Sequence, residues 1–176
     1  GLDPGFMVGG IAKNFQTNYR VGSGRYVVME GDEYDTAFFD KRPKFVHFTP
    51  RAAVLTSIEF DHADIYPDLN VIIQAFETFL STIAPGGRVF AWGDAPLVRE
   101  VCGRRHAPVC FYGLHGNAAW QAAGITPVPG GMHFTVLKQG ARWGEFFLPM
   151  VGKHNVLNAL AALAVLAEVG AAPAAL

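Results

Sequence analysis

The spacing of apolar residues changes along the chain and predicts an alternation of strands and helices. Short apolar runs predict strands at residues 6–8, 25–30, 44–48, 53–58, 88–92 and 107–112. Apolar residues at helical spacing predict helices at 69–83, near 96–101 and at 152–170, and a helical turn at 33–39. Asp68 is placed to cap the first long helix, and Pro85 follows its end.

The pattern changes again at residues 130–149, where apolar and polar residues alternate around a turn at Gln139 and Gly140. Such alternation predicts an antiparallel hairpin. Strands and helices that alternate before a late hairpin indicate an α/β fold. We therefore expect a mostly parallel sheet flanked by helices, with an antiparallel hairpin at one edge.

Composition narrows the class of protein. The chain has 176 residues, 51% of them apolar and 16% charged, which favours one folded domain with a substantial core. A net charge of −1 without a basic block gives no indication of nucleic-acid binding, and no apolar run is long enough to cross a membrane. Two cysteines, Cys102 and Cys110, fit a reducing cytoplasm.

Polar groups cluster directly after the predicted strand at 53–58. They are Glu59, Asp61, His62, Asp64 and Asp68. Ligands of open α/β sheets bind at the carboxyl ends of the strands, so this cluster is a candidate site. Neighbouring carboxylates would favour the charged form of His62 and orient its ring.

Glu30 ends another predicted strand and is the second candidate. With His62 it could share one divalent ion, although one Glu and one His do not complete a Mg²⁺ site. Two alternatives stay open from the residues alone. Glu30 could cap a following helix, or Glu30, His62 and Asp64 could serve a metal-dependent hydrolase.

Zinc is a further possibility that the spacing does not favour. Cys102, His106, Cys110 and His115 lie close in sequence, but no CxxC pair is present. Buried, unmodified cysteines are the better interpretation of Cys102 and Cys110.

The start of the last helix is the second polar segment. Asn155 fits a helix cap. Asn158 lies a turn inside an otherwise apolar helix, where a cap is not needed. Its carboxamide offers one donor and one acceptor group, which matches the edge of an adenine.

Three motifs in this order resemble the central, ATP-binding domain of the Mur ligases: EGDEYD at 30–35, TSIEFDHADIY at 56–66 and GKHNVLNALAA at 152–162. The resemblance implies a P-loop-NTPase-like domain of an enzyme that extends UDP-muramic acid precursors. The segment EGDEYDTAFFDKRPKFVHF is most similar to the branch that joins a murein tripeptide to UDP-N-acetylmuramate for peptidoglycan recycling. The branch that adds L-alanine is the alternative.

The resemblance also implies roles for individual residues. Glu30 and His62 match catalytic residues that hold Mg²⁺, whereas His154, Asn155 and Asn158 match the segment that contacts the adenine of ATP. The implied reaction is ATP-dependent activation of a carboxylate to an acyl phosphate, followed by attack of the tripeptide amine. The implied partners are therefore UDP-N-acetylmuramate and the tripeptide in the cytoplasm, with no nucleic acid and no membrane.

Two family features are missing from the sequence. The phosphate loop G-x-x-G-K-[ST]-[ST] does not occur, and residues 22–25 have neither its Lys nor the hydroxyl residue that follows the Lys. The predicted helix 69–83 has no lysine to carbamylate, and Glu77 lies near that position. We therefore expect residues 1–170 to be a central domain without its phosphate loop and 171–176 to begin a link to a further domain. The isolated chain is expected to fold without ligase activity and to bind ATP weakly if at all.

Overall fold

The structure is a computed structural model that describes residues 2–60, 65–104 and 108–176. The chain forms two compact units, Gly1–Phe48 (unit 1) and Thr49–Leu176 (unit 2). Each unit has its own sheets, and each is described by itself.

Unit 1 contains two small sheets. Its strands are β1 (Gly5–Ala12), β2 (Thr17–Arg20), β3 (Val27–Met29), β4 (Asp35–Ala37) and β5 (Asp40–Pro43). The first sheet has the order β2-β1-β3, in which β1 is antiparallel to β2 and parallel to β3. The second sheet is the hairpin of β4 and β5.

Two predictions in unit 1 are wrong. Residues 33–39 do not form a helical turn, because Asp35 and Ala37 pair with Pro43 and Asp40 across the hairpin. Residues 44–48 are not a strand but contain a 3-10 helix, Lys44–His47. Pro43 has φ −57°, which suits the start of a helical turn, and it has no N–H to extend the strand ladder.

Unit 2 is built on a six-stranded sheet. Its strands are β6 (Ala52–Leu55), β7 (Arg88–Trp92), β8 (Val109–Gly113), β9 (Trp120–Val128), β10 (Gly131–Lys138) and β11 (Ala141–Leu148). Strands β6 to β9 run parallel to one another, and β10 and β11 add an antiparallel hairpin at one edge. The predicted mostly parallel α/β sheet with an edge hairpin is confirmed.

Three helices cover the two faces of this sheet: α1 (Leu69–Ser81), α2 (Pro96–Gly103) and α3 (Lys153–Glu168). Alternate residues of β7 belong to different cores, since Phe90 packs in the cluster that contains α3 residues and Val89 packs with residues of α1 and α2. The strand is buried on both faces, which explains its continuous apolar sequence. The Asp68 carboxylate accepts hydrogen bonds from the backbone N–H groups of Asn70 and Val71, as the predicted cap requires.

Strand β9 is the element of unit 2 that sequence reasoning missed. Its sequence contains Gly124, at φ +59°, and Pro127, and its pairing with β10 is irregular between His133 and Thr135. Both residue types lower strand propensity, so the alternating pattern is interrupted. Among the described residues, no helix is long and apolar enough to span a membrane.

Candidate nucleotide and metal site

The N-terminus of α3 carries the predicted adenine-contacting residues. Gly152 is the cap residue at φ +102°, and no side chain caps the helix. Val156 and Leu160 are fully buried and fix which face of α3 packs against the sheet. Lys153, His154 and Asn158 are consequently exposed.

Asn155 has a structural contact that the sequence did not predict. Its Nδ2 donates to the carbonyl oxygen of Val151 at 2.7 Å. The interpretation of Asn155 as the helix cap is wrong, because Gly152 holds that position and the Asn155 side chain donates rather than accepts. The bond ties the first turn of α3 to Val151, the residue before its cap.

Asn158 lies one turn further along and differs from Asn155 in its surroundings. It is exposed, and within the described part of the chain its side chain makes no hydrogen bond. A carboxamide that is held on a packed helix but has no protein partner can offer both its donor and its acceptor to a ligand.

Glu30 lies in unit 1, directly after β3. Its backbone N–H donates to the Met7 carbonyl oxygen at 3.0 Å, and its carboxylate accepts a hydrogen bond from the backbone N–H of Gly9. The alternative that Glu30 caps a helix is wrong, since the next helix, Lys44–His47, has no acidic residue in its first turn. Glu30 is exposed, so an oxygen ligand for Mg²⁺ is accessible there.

His62 and Asp64 lie outside the described residues, as does Asp61. The metal-binding role of Glu30 and His62 therefore stays a prediction, and so does the nucleotide role of His154, Asn155 and Asn158. Glu30 belongs to unit 1 and the three α3 residues to unit 2.

Asp94 is a polar residue at the carboxyl end of β7 to which sequence analysis assigned no role. Its carboxylate accepts from the backbone N–H groups of Leu114 at 2.6 Å and His115 at 3.3 Å, and from Trp92 Nε1 at 3.4 Å. A Cβ at Gly113 would lie 2.7 Å from the Asp94 oxygens, so a larger residue there would displace the Asp94 carboxylate. Asp94 thus fixes the connection after β8, and the Gly93-Asp94 pair at a strand end was the available signal.

Cys102 is buried, as predicted, whereas Cys110 is half-buried, and both are free thiols. Burial raises the pKa of the Cys102 thiol to about 11 and also raises the pKa of Cys110. In the described ranges, no group of three His, Cys, Asp or Glu residues is arranged to hold a metal ion. His106 lies outside those ranges.

The glycine-rich segment at residues 22–25 donates hydrogen bonds to the carboxylate of Asp3. Asp3 Oδ2 accepts from the backbone N–H of Ser23 at 2.9 Å and from its hydroxyl at 2.6 Å. A Cβ at Gly24 would lie 1.9 Å from the Leu2 carbonyl oxygen. The turn is therefore filled by the chain itself, which agrees with its lack of a phosphate-loop sequence.

Glu77, near the position of the family's carbamylated lysine, is engaged in an ion pair. Its Oε1 accepts from Arg104 Nη1 at 3.0 Å, and Arg104 also pairs with Glu100. The pair joins α1 to the residue that follows α2, so Glu77 has a structural contact of its own.

Comparison with known proteins identifies the relatives of the chain. The family model described as the Mur ligase middle domain matches residues 10–166. The UDP-N-acetylmuramate–L-alanyl-γ-D-glutamyl-meso-2,6-diaminoheptandioate ligase of Haemophilus influenzae is 40% identical over 175 residues, and that of Escherichia coli 39% over 176. The chain spans 37% of the length of each. The UDP-N-acetylmuramate–L-alanine ligase of Frankia alni is 37% identical over 183 residues, which make up 30% of its length.

Solved structures give the same relationship. A UDP-N-acetylmuramate:L-alanyl-γ-D-glutamyl-meso-diaminopimelate ligase from Neisseria aligns with a TM-score of 0.86 and 36% identity, covering 98% of this chain and 55% of that chain. A UDP-N-acetylmuramate–alanine ligase from Thermotoga maritima aligns with a TM-score of 0.77 and 26% identity, covering 97% of this chain and 36% of that one. A MurF ligase from Thermotoga maritima in complex with ADP shares the fold, with a TM-score of 0.72 at 14% identity.

Proposed function

Because this chain belongs to the Mur ligase family, we propose that it is the nucleotide-binding middle part of a longer, ATP-dependent ligase. The proposed reaction joins the tripeptide L-Ala-γ-D-Glu-meso-diaminopimelate to UDP-N-acetylmuramate. The tripeptide branch is favoured over the L-alanine branch because a solved tripeptide ligase aligns with a TM-score of 0.86 at 36% identity, against 0.77 at 26% for a solved L-alanine ligase. The metal-dependent hydrolase is not proposed, since the chain matches a ligase family.

The observation that carries the nucleotide-binding proposal is the exposed carboxamide of Asn158. It lies on α3, whose buried face is fixed by Val156 and Leu160, so the group is held in place without being used by the protein. One donor and one acceptor on a rigid helix suit the Watson–Crick or Hoogsteen edge of adenine. Asn155 supports the same turn through its bond to the Val151 carbonyl.

Glu30 and His62 are proposed as Mg²⁺ ligands. The exposed Glu30 carboxylate supplies the hard oxygen that Mg²⁺ prefers, and the ion, when bound, would offset the charge of the ATP phosphates. His62 would contribute an imidazole nitrogen. Water and phosphate oxygens complete such sites in other proteins.

The proposed reaction proceeds in two steps. A carboxylate oxygen of UDP-N-acetylmuramate attacks the γ-phosphorus of ATP, forming an acyl phosphate and releasing ADP. The tripeptide amine then attacks the acyl carbon, an amide bond forms, and phosphate leaves with the amine proton transferred to solvent. Catalysis of this kind depends on positioning and charge neutralisation rather than on a protein nucleophile. Use of ATP and two unpaired cysteines favour a cytoplasmic location.

The test is ligation by the longer protein that contains this chain, with Asn158→Ala compared with wild type. We expect the KM for ATP to rise about tenfold, because one or two hydrogen bonds to adenine are lost. The KM values for the other two substrates should stay unchanged. The matched control is Asn70→Ala, a substitution at another exposed asparagine, the second residue of α1. An unchanged KM for ATP in Asn158→Ala would contradict the adenine contact, and faster use of L-alanine than of tripeptide would assign the protein to the L-alanine branch.

A further inference from the structure

Gly9 lies in the part of β1 that continues beyond its regular pairing with both neighbouring strands. Strands β1 and β2 pair at Phe6 and Met7, and the register then shifts before they pair again at Ala12. On the side of β3, the regular pairing of β1 ends at Met7 opposite Met29, and the Gly9 N–H beyond it donates to the Glu30 carboxylate. The Glu30 side chain thus takes up a backbone donor that the β1–β3 pairing leaves unused.

Glu30 is therefore held at two points by the same strand. Its backbone N–H donates to the Met7 carbonyl oxygen at 3.0 Å, and its Oε2 accepts from the Gly9 N–H, two residues further along β1. The Oε1 atom makes no hydrogen bond in the described part of the chain. Oε2 is thus held by the Gly9 N–H, and Oε1 remains available to bind a metal ion.

The space at Gly9 is limited on the side of Glu30. A Cβ built at Gly9 would lie 3.1 Å from Glu30 Oε2 and 3.7 Å from its Cδ, whereas a Cβ at the neighbouring Gly10 would meet nothing within 4 Å. Neither glycine has a positive φ that would itself require glycine. The two adjacent glycines therefore differ in their relation to Glu30, and they form a matched pair for experiment.

We propose that Gly9 is a positioning residue, whose N–H orients the Glu30 carboxylate so that Oε1 can bind Mg²⁺. A hydrogen bond from an amide to a carboxylate is charge-assisted and restricts the rotation of the acid. Residues that orient metal ligands commonly change metal affinity 10- to 100-fold when altered. This inference rests on the proposed role of Glu30 as a metal ligand.

The first experiment compares Gly9→Ala, Gly10→Ala and Glu30→Gln in the longer ligase by titration with Mg²⁺. We expect Gly9→Ala to raise the Mg²⁺ concentration for half-maximal rate about tenfold and Gly10→Ala to leave it unchanged. If Glu30→Gln raises it and Gly9→Ala does not, the positioning role is wrong while the proposed function stands. If Glu30→Gln also has no effect, the metal-binding role of Glu30 itself is wrong.

A second measurement does not depend on activity or on changing Gly9. In the ¹H–¹⁵N spectrum of the 176-residue chain, Glu30→Gln is expected to move the amide proton of Gly9 upfield, because a neutral acceptor forms a weaker hydrogen bond. The amide of Gly10 is expected to stay in place. Equal shifts of both amides, or no shift of Gly9, would overturn the inference.

Discussion

Each of the two units is stabilised internally by a different kind of interaction. Unit 2 has two apolar clusters, one on each face of its sheet, in which residues such as Phe90 and Leu160 are fully buried. In unit 1, Phe45 is the one large apolar side chain that is fully buried among the described residues, and all three residues of β3 are exposed. Unit 1 instead contains several carboxylates bonded to backbone amides and to arginine or lysine.

The difference affects what each unit offers to a ligand. Apolar burial positions α3 in unit 2, so Asn158 is carried by a rigid element whose packing does not involve it. In unit 1 the polar contacts position Glu30 directly, through Gly9 and Met7. Mutations of the apolar core of unit 2 should therefore act mainly on stability, whereas polar changes in unit 1 should act on function and on pH dependence.

The largest expected effect is on the core of unit 2. Leu160→Ala removes a fully buried side chain and leaves a cavity, so we expect a loss of about 2–5 kcal/mol in free energy of unfolding. All three tryptophans, Trp92, Trp120 and Trp143, lie in unit 2, so their fluorescence during urea unfolding reports on this unit. Leu176→Ala, at a residue 47% exposed, is the control. A loss below about 1 kcal/mol would show that α3 does not depend on apolar packing.

A smaller effect is expected in unit 1 when the pH is lowered. Hydrogen bonds from the Ser23 hydroxyl and backbone N–H, then from Arg20, lower the pKa of Asp3 from 3.8 to about 2. A lowered pKa means that the stabilisation is present above pH 4 and is lost as the pH falls towards 2. The amide shift of Ser23 should titrate with Asp3, and this step should vanish in Asp3→Asn. A titration of the Ser23 amide shift with its midpoint near pH 4 would contradict the account.

The smallest effect is expected at the tip of the β4–β5 hairpin. Phe39 is 90% exposed, so Phe39→Ser should change the free energy of unfolding of unit 1 by no more than about 0.5 kcal/mol. Phe45→Ser, at a residue 3% exposed, is the matched substitution and should lower the free energy of unfolding of unit 1 several-fold more than Phe39→Ser does. Amide hydrogen exchange in β4 and β5 measures the stability loss of each variant. Similar losses at the two positions would mean that the tip is packed in solution.

The sequence predicted unit 2 better than unit 1 because apolar periodicity follows burial. The helix at Leu69–Ser81 with its Asp68 cap and the strand Arg88–Trp92 were identified from spacing alone. The hairpin that includes Asp35–Ala37 was not, because its pairing depends on contacts between side chains rather than on a buried face. Local patterns carry little information about such contacts.

The candidate site shows the same limit. Motif resemblance selected Glu30, Asn155 and Asn158, but the bond from Asn155 to Val151 and the contact between Gly9 and Glu30 needed coordinates. Gly9 is 21 residues from Glu30, and nothing in the spacing connects them. Sequence reasoning found residues that resemble a family pattern and missed those that hold them in place.

The most direct test of the central claim follows an oxygen atom. The longer ligase is supplied with ATP, tripeptide and UDP-N-acetylmuramate that carries ¹⁸O in both carboxylate oxygens, and the released phosphate is analysed by mass spectrometry. If the carboxylate is activated as an acyl phosphate, each phosphate formed with a new amide bond carries one ¹⁸O from the labelled carboxylate. Amide formation with phosphate free of ¹⁸O would contradict the account.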